Sequence, residues 1–371
     1  MLDFFKRKIS PIGLDIGHNS IRMIQLEADS DCISVVAAVE MFFNPEANSS
    51  ERNRDDYTIA AIQQMLEQGS FAGKEVISCL PGSQVRIRSL RLDTSQLEDI
   101  EHVLQTEAES RFGLNPETDE IRYLLAGNIW QGEKLKNELI LFAIENKLLK
   151  EHLSTLEETG LVSVGIDTAP FALFRSSLQT LRRAEDEDKV TVLVEIGSEH
   201  TTVIMGRAGE IIFAKQIDSG GEKINCEIAS KLNISIDEAS MLRSKLRQND
   251  AESLDISVKQ TILDAIGSTI DELAREISLC FRYYVVAFRG ERPQNIVFAG
   301  GEAYEETLIK ALKKHLAVEV ELIRPLRDFD ITRIDFPGDK RGPLSEWAVA
   351  VGLSIKGFKP VLNRSVIHER A

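Results

Sequence analysis

Apolar and polar positions alternate with a period of two at the start of the chain, which predicts strands. Ile12–Asp15 is a short apolar run that ends in an acid, and Gly17 opens a turn. Ser20–Leu26 and Cys32–Phe43 read as two returning strands, so the chain opens with hairpins. Asn44–Asp56, with Pro45, reads as a polar loop. The period then changes: Ile59, Ile62, Met65 and Leu66 predict a helix over Tyr57–Gln68. Glu75–Leu80 reads as a buried strand stopped by Pro81-Gly82.

The next block has a different order. Gln84–Leu92 alternates like a strand, and a helix is expected from about Gln96 to Phe112. Thr94 or Ser95 would cap it, with Glu98 as the capping-box partner of Ser95. Ile121–Leu125 and Glu138–Ile144 read as strands, and Lys147–Glu158 as a helix. This strand–helix–strand–strand unit predicts a subdomain inserted in a larger fold. Leu161–Asp167 follows as a strand, Pro170 starts a helix to about Arg183, and the charged Arg182–Lys189 reads as a linker.

The opening style then repeats, with strands at Val190–Ile196, Thr201–Gly206 and Glu210–Ile217. Helices are expected at about 221–232, 236–247 and 256–289. Gln294–Ala299 is a strand, followed by Gly300-Gly301 and a helix, and Leu344–Ser354 reads as a final small-residue helix. The expected division is α/β with two related lobes. Residues 1–88 begin the first lobe, 89–160 form the insertion, 161–189 end the first lobe and link, and 190–371 form the second.

Composition adds exclusions. A chain of 371 residues suits two or three domains. A formal net charge of -15 argues against broad nucleic-acid binding, which needs Lys and Arg to neutralise phosphates. Cys32, Cys79, Cys226 and Cys280 are far apart with no C-x-x-C pair, so free thiols in a reducing compartment are expected. No run of about 18 apolar residues predicts a transmembrane helix. Leu2, Phe4, Phe5 and the basic Lys6, Arg7 and Lys8 read as a frayed terminus or a surface-touching segment, not a signal peptide.

Chemistry concentrates in three turns. The first is Asp15-Ile16-Gly17-His18-Asn19-Ser20. Gly17 allows a close backbone approach, and successive N–H groups there can cradle phosphate oxygens. Asp15 repels phosphate and suits Mg²⁺ held through water. Arg22, two residues past Ser20, is expected on the same side. A plain hairpin would also use these residues. The second turn, Glu195-Ile196-Gly197-Ser198-Glu199-His200-Thr201, repeats the plan, with Thr201 as a hydroxyl for phosphate. Two such turns suit a phosphate clamped between facing hairpins. The third, Gly300-Gly301-Glu302, lets backbone lie flat against a base or sugar. Gly220-Gly221 opens another helix, as a further edge of that pocket or as a turn only. Neither a G-x-S-x-G elbow nor a G-x-x-x-x-G-K-[ST] loop occurs, and no His or Cys stands at metal-ligand spacing from His18 or His200.

The three turns resemble the two phosphate motifs and the adenosine motif of the actin and sugar-kinase superfamily, which implies a two-lobed actin-like (ribonuclease H-like) fold. Within it the chain resembles the PilM family of type IV pilus assembly. Gly13–Leu26 (GLDIGHNSIRMIQL) is similar to that family's opening, and Leu156–Leu161 falls in a block like its inserted subdomain. Asp167–Leu173 (DTAPFAL) resembles its connecting motif, and Glu346–Leu353 (EWAVAVGL) its C-terminal helix. The relatives FtsA and MreB fit these segments less well. The resemblance implies ATP and Mg²⁺ between the lobes. It also implies a bound cytoplasmic tail of a PilN-like inner-membrane protein, an indirect link to PilO, and a cytoplasmic location on the inner face of the membrane. Two departures bear on turnover. Glu195 stands where the superfamily usually has Asp, and Ala169 where related proteins often carry Glu before the Pro. Binding with slow or absent hydrolysis is therefore expected. The alternatives are a small-molecule kinase or phosphatase, with Asp167 as its candidate catalytic carboxylate, and a filament-forming protein.

Overall fold

The computed structural model describes residues 8–29, 32–43, 51–178, 190–247 and 254–358. The expected N-terminal segment before Lys8 and the 182–189 linker lie outside these residues, as does the end of the helix drawn to Arg183. The chain begins with β1 (Lys8–Ile9), β2 (Ile12–Ile16), β3 (Ser20–Ala28), β4 (Ile33–Phe42), α1 (Glu51–Gln68) and β5 (Glu75–Leu80). Then come β6 (Arg86–Leu92), α2 (Ile100–Phe112), β7 (Asp119–Gln131), β8 (Lys134–Glu145), α3 (Asn146–Glu158), β9 (Val162–Thr168) and α4 (Ala169–Leu178). The later half holds β10 (Thr191–Ile196), β11 (Thr201–Arg207), β12 (Glu210–Ile217), α5 (Gly221–Leu232), α6 (Ile236–Arg247) and α7 (Ile256–Ala287). It ends with β13 (Asn295–Ala299), α8 (Glu306–Leu316), β14 (Glu319–Leu322), β15 (Phe329–Asp330) and α9 (Ala348–Lys356).

Two sheets share one plan. The first runs β15-β4-β3-β2-β5-β9 and the second β12-β11-β10-β13-β14. In each, a hairpin strand pairs antiparallel on both sides, and the acid-ending strand pairs parallel with the next one in. The inner strands are buried on both faces, which explains their continuous Val, Ile and Leu runs. Strands β6, β8 and β7 form a separate three-stranded sheet in that order, with α2 between β6 and β7.

Several local expectations need correction. Helix α1 starts at Glu51, inside the stretch read as polar loop. The capping box is made by Asp93 and Gln96, and a 3-10 turn over Thr94–Asp99 precedes α2. Ser95 and Glu98 are not that pair; the box lies earlier because Asp93 holds the extended N-cap backbone. The β7–β8 hairpin is several residues longer than the apolar runs indicated.

The end of the chain differs most from the expected division. The expected second lobe covers 190–371, yet β15 pairs in parallel with β4 of the first sheet. Helix α9 packs on β2 and β3, and its residues share cores with Ile24, Leu26, Ile77 and Cys79. Small residues permit this contact. A Cβ at Gly352 would stand 1.8 Å from the Ala172 carbonyl oxygen, and one at Gly13 2.1 Å from that of Ala350. Helix α3, within the expected insertion 89–160, places Leu156 in the first sheet's core and His152 on Ser78 of β5, Oγ to Nε2, at 2.7 Å.

Candidate nucleotide cleft

The two acid-Ile-Gly turns close identically. Gly17 N–H donates to the Ser20 carbonyl at 2.9 Å, and Gly197 N–H donates to the His200 carbonyl at 2.9 Å. A Cβ at either glycine would crowd that carbonyl at 3.0 Å. The tips also meet each other: His18 Nδ1 lies 3.7 Å from Glu199 Oε1. Glu222, at the start of α5, brings a third ligand atom to within 4.8 Å of both. Sequence spacing could not flag this trio, because three separate elements supply one group each.

Strand register then builds two matched walls. Asp15 stands opposite Arg22, and Arg22 opposite Glu40, across β2, β3 and β4. Glu195 stands opposite Thr202, and Thr202 opposite Gln216, across β10, β11 and β12. Residues opposite each other share a sheet face. All six line one cleft of about 760 Å³ between the lobes. Gly17, His18, Asn19 and Ser20 line it from the first turn, and Gly197 and Ser198 from the second. Gly300, Gly301 and Glu302 form its third edge. Gly300 has φ +89, and a Cβ there would lie 2.5 Å from the Ile196 carbonyl oxygen, so only glycine fits unstrained.

The electrostatics favour a cation. Burial pushes Asp15 up to about 6, with Arg22 pulling it back. Burial pushes Glu195 up to about 7, and the charge of Asp15 adds to the rise. Arg22 is held by Glu40 at 2.6 Å, and burial also raises the Glu40 carboxyl. Cys79, on the cleft floor, is raised well above its ordinary value by burial and by Asp15, Asp167 and Glu195.

Four sequence-assigned residues do not line the cleft. Thr201 is fully buried, and its hydroxyl donates to the Ser219 carbonyl at 2.7 Å. It stands opposite Ile196, whereas Thr202 shares the face of Glu195. Gly220 and Gly221 back the second turn instead: Gly221 N–H donates to the Gly197 carbonyl, and Glu222 N–H to that of Ser198. A Cβ at Gly220 would lie 2.4 Å from the Ser198 oxygen. Asp167, the candidate catalytic carboxylate, is committed to Arg175 at 2.9 Å and Lys356 at 3.2 Å, and accepts from Thr168 N–H.

Other cleft residues escaped the sequence reading. Arg54 of α1 donates to the Gly17 and His18 carbonyls at 2.9 and 3.2 Å and lies over the Phe43 ring. Its signal was hidden in an apparent loop. Arg243 of α6, 2% exposed, donates to the Gly221 carbonyl at 3.0 Å and pairs with Glu302 and Glu305. It thereby ties the Gly-Gly edge to the support of the second turn. Tyr304 donates to Glu346 and accepts from Ser345 N–H, joining that edge to the segment before α9.

A seven-strand sheet and a five-strand sheet facing across a cleft, each with an acid-Ile-Gly turn beside it, define a two-lobed protein of the actin-like class. The family described as type IV pilus assembly protein PilM matches residues 13–358, and the chain belongs to that family. A solved PilM-PilN type IV pilus biogenesis complex is similar in fold, with TM-score 0.76, 20% identity, 95% of this chain and 99% of that chain covered. The ethanolamine utilization protein EutJ of Carboxydothermus hydrogenoformans shares the fold at TM-score 0.52 and 13% identity, with 96% and 92% covered. Cell division protein FtsA of Streptococcus pneumoniae is 22% identical over 95% of this chain and 85% of its own length. Among the described residues no helix is long and apolar enough to cross a membrane.

Proposed function

We propose that this protein is an ATP-binding scaffold of type IV pilus assembly that holds the cytoplasmic N-terminal tail of a PilN-like inner-membrane protein. It thereby joins an assembly with a PilO-like protein at the inner face of the cytoplasmic membrane. The observation that carries the nucleotide part is the pair of matched walls, Asp15–Arg22–Glu40 and Glu195–Thr202–Gln216, around one cleft. Membership of the PilM family supports the pilus role. The solved complex of a PilM protein with PilN supports the partner.

The residues fit a magnesium nucleotide. Asp15 and Glu195 are two carboxylates in one cleft, both held above the ordinary range by burial. A hard divalent ion takes one or two such carboxylates, so Asp15 and Glu195 would hold it through water. The ion would supply charge neutralisation for phosphate. The N–H groups of the two turns cradle phosphate oxygens, and Gly300-Gly301 accepts the nucleoside against flat backbone.

Turnover is slow or absent in this reading. Ala169 lines the cleft where a proton acceptor would stand, and it offers none. Asp167 is occupied by Arg175 and Lys356, which also weakens the kinase and phosphatase alternative. Phosphate release from the purified chain tests this: turnover near about 1 per second would place the protein among ordinary enzymes and defeat the reading. For the partner, a synthetic peptide of the PilN-like tail should bind, with an affinity that changes when ATP is added. A peptide that fails to bind with or without ATP would defeat the scaffold assignment.

A further inference from the structure

Three side chains converge at the tips of the two turns, and they come from both lobes. His18 Nδ1 in the first turn lies 3.7 Å from Glu199 Oε1 in the second. Glu222, at the start of α5, brings a third ligand atom, and all three atoms lie within 4.8 Å of one another. Among the described residues, no other three His, Cys, Asp or Glu side chains converge this closely. Two surface carboxylates alone would mean little. A histidine nitrogen arriving from the opposite lobe changes the chemistry, because it makes a mixed nitrogen and oxygen donor set.

The spacing suits a shared ion better than a direct contact. At 3.7 Å the His18–Glu199 pair is too long for a hydrogen bond. Donors about 2.0–2.2 Å from a tetrahedral zinc ion stand about 3.3–3.5 Å from each other. Each of the three side chains is at least partly open to solvent, so small rotations close the remaining gap. The backbones beneath them are already tied down. Arg54 donates to the Gly17 and His18 carbonyls, and Glu222 N–H donates to the Ser198 carbonyl at 2.8 Å. That last bond fixes Glu222 to the turn that carries Glu199.

We propose that His18, Glu199 and Glu222 hold one divalent transition-metal ion of the zinc class, with water as the fourth ligand, as a clasp between the two lobes. Imidazole beside carboxylate selects such an ion over magnesium, which prefers an all-oxygen shell. The site is separate from Asp15 and Glu195, which lie in β2 and β10 ahead of the turns. Two ligands belong to the second lobe and one to the first. The ion therefore binds the closed arrangement best and shifts the population towards it. The inference stands on this trio and does not require that nucleotide binds.

Zinc titration of the full chain against a chromophoric chelator, in excess Mg²⁺ and without nucleotide, tests the site. One Zn²⁺ per chain should bind. His18→Ala and Glu222→Gln should each weaken it by roughly tenfold or more, at least the scale of a disturbed metal ligand. Cys226→Ser, which removes an exposed thiol, should leave it unchanged. An affinity unmoved by His18→Ala or Glu222→Gln overturns the proposal. So does zinc displaced by magnesium, which would place it on Asp15 and Glu195, or zinc lost with Cys226→Ser, which would place it on the thiol. A nitroxide pair reads the clasp, at exposed Glu67 on α1 and Lys314 on α8, each changed to Cys with Cys32→Ser and Cys226→Ser. Zinc should narrow the distance distribution in this chain and leave it unaltered once His18→Ala is added. A distribution that zinc does not narrow, or narrows equally with His18→Ala, overturns the clasp.

Discussion

Replacing Glu195 by glutamine should stabilise the protein above neutral pH and leave it nearly unchanged in mild acid. Burial and the neighbouring Asp15 lift this carboxyl from 4.5 to about 7 in the folded state. At about 1.36 kcal/mol per pH unit, ionised Glu195 costs the fold about 3 kcal/mol. The sign follows from proton uptake. The folded state binds this proton more tightly than the unfolded chain, so stability falls as pH rises from about 4.5 to about 7. Glutamine mimics the protonated acid and removes the cost. Urea unfolding in a chelator at about pH 8 should show the variant more stable by up to about 3 kcal/mol, and within about 1 kcal/mol at pH 5. Magnesium should stabilise the parent at the higher pH more than the variant, because ligand bound only to the folded state adds stability. Parallel pH profiles for the two proteins would refute the buried-carboxylate argument.

Three further outcomes follow from the same geometry. Arg243→Ala leaves Glu302 and Glu305 without a buried guanidinium, so it should cost about 3–5 kcal/mol in denaturant unfolding. A loss below about 1 kcal/mol would show that this pair of contacts is not formed in solution. Gly352→Ala drives a methyl against the Ala172 carbonyl at 1.8 Å, so thermal unfolding should register a loss of about 3 kcal/mol or more. Glu199→Ala removes a carboxylate from the tip of the second turn, beside His18. It should tighten tripolyphosphate binding by roughly threefold or more in a titration, since like charges repel, and an unchanged or weaker affinity would contradict the placement of phosphate there.

Much of the site was legible because its chemistry is local. An acid at a strand end followed by Ile-Gly makes a tight turn wherever it occurs, and both instances close on the same hydrogen bond. The Gly-Gly edge was legible for a similar reason, since Gly300 needs a positive φ. Face assignment was less secure. Thr201 and Thr202 are neighbours in sequence but point to opposite faces, and only the register with Glu195 decides between them. Long-range contacts left no signal at all. Two residues of β15 pair with β4, and no pattern in so short a strand marks its partner. Arg54 falls in a stretch read as loop and Arg243 on an expected helix, and each reaches backbone carbonyls far along the chain that no spacing marks. Asp167 read as available chemistry because Arg175 and Lys356 lie outside its motif.

A cleft walled by Asp15 and Glu195 should bind a magnesium nucleotide. Calorimetric titration of the purified chain with ATP and Mg²⁺ tests it most directly. One site per chain should appear, and Asp15→Ala should weaken it by roughly tenfold or more, the scale of a lost metal-holding carboxylate. No binding at about millimolar ATP, where even a weak site of about 4 kcal/mol would be half filled, would contradict the account. So would an affinity left intact by Asp15→Ala.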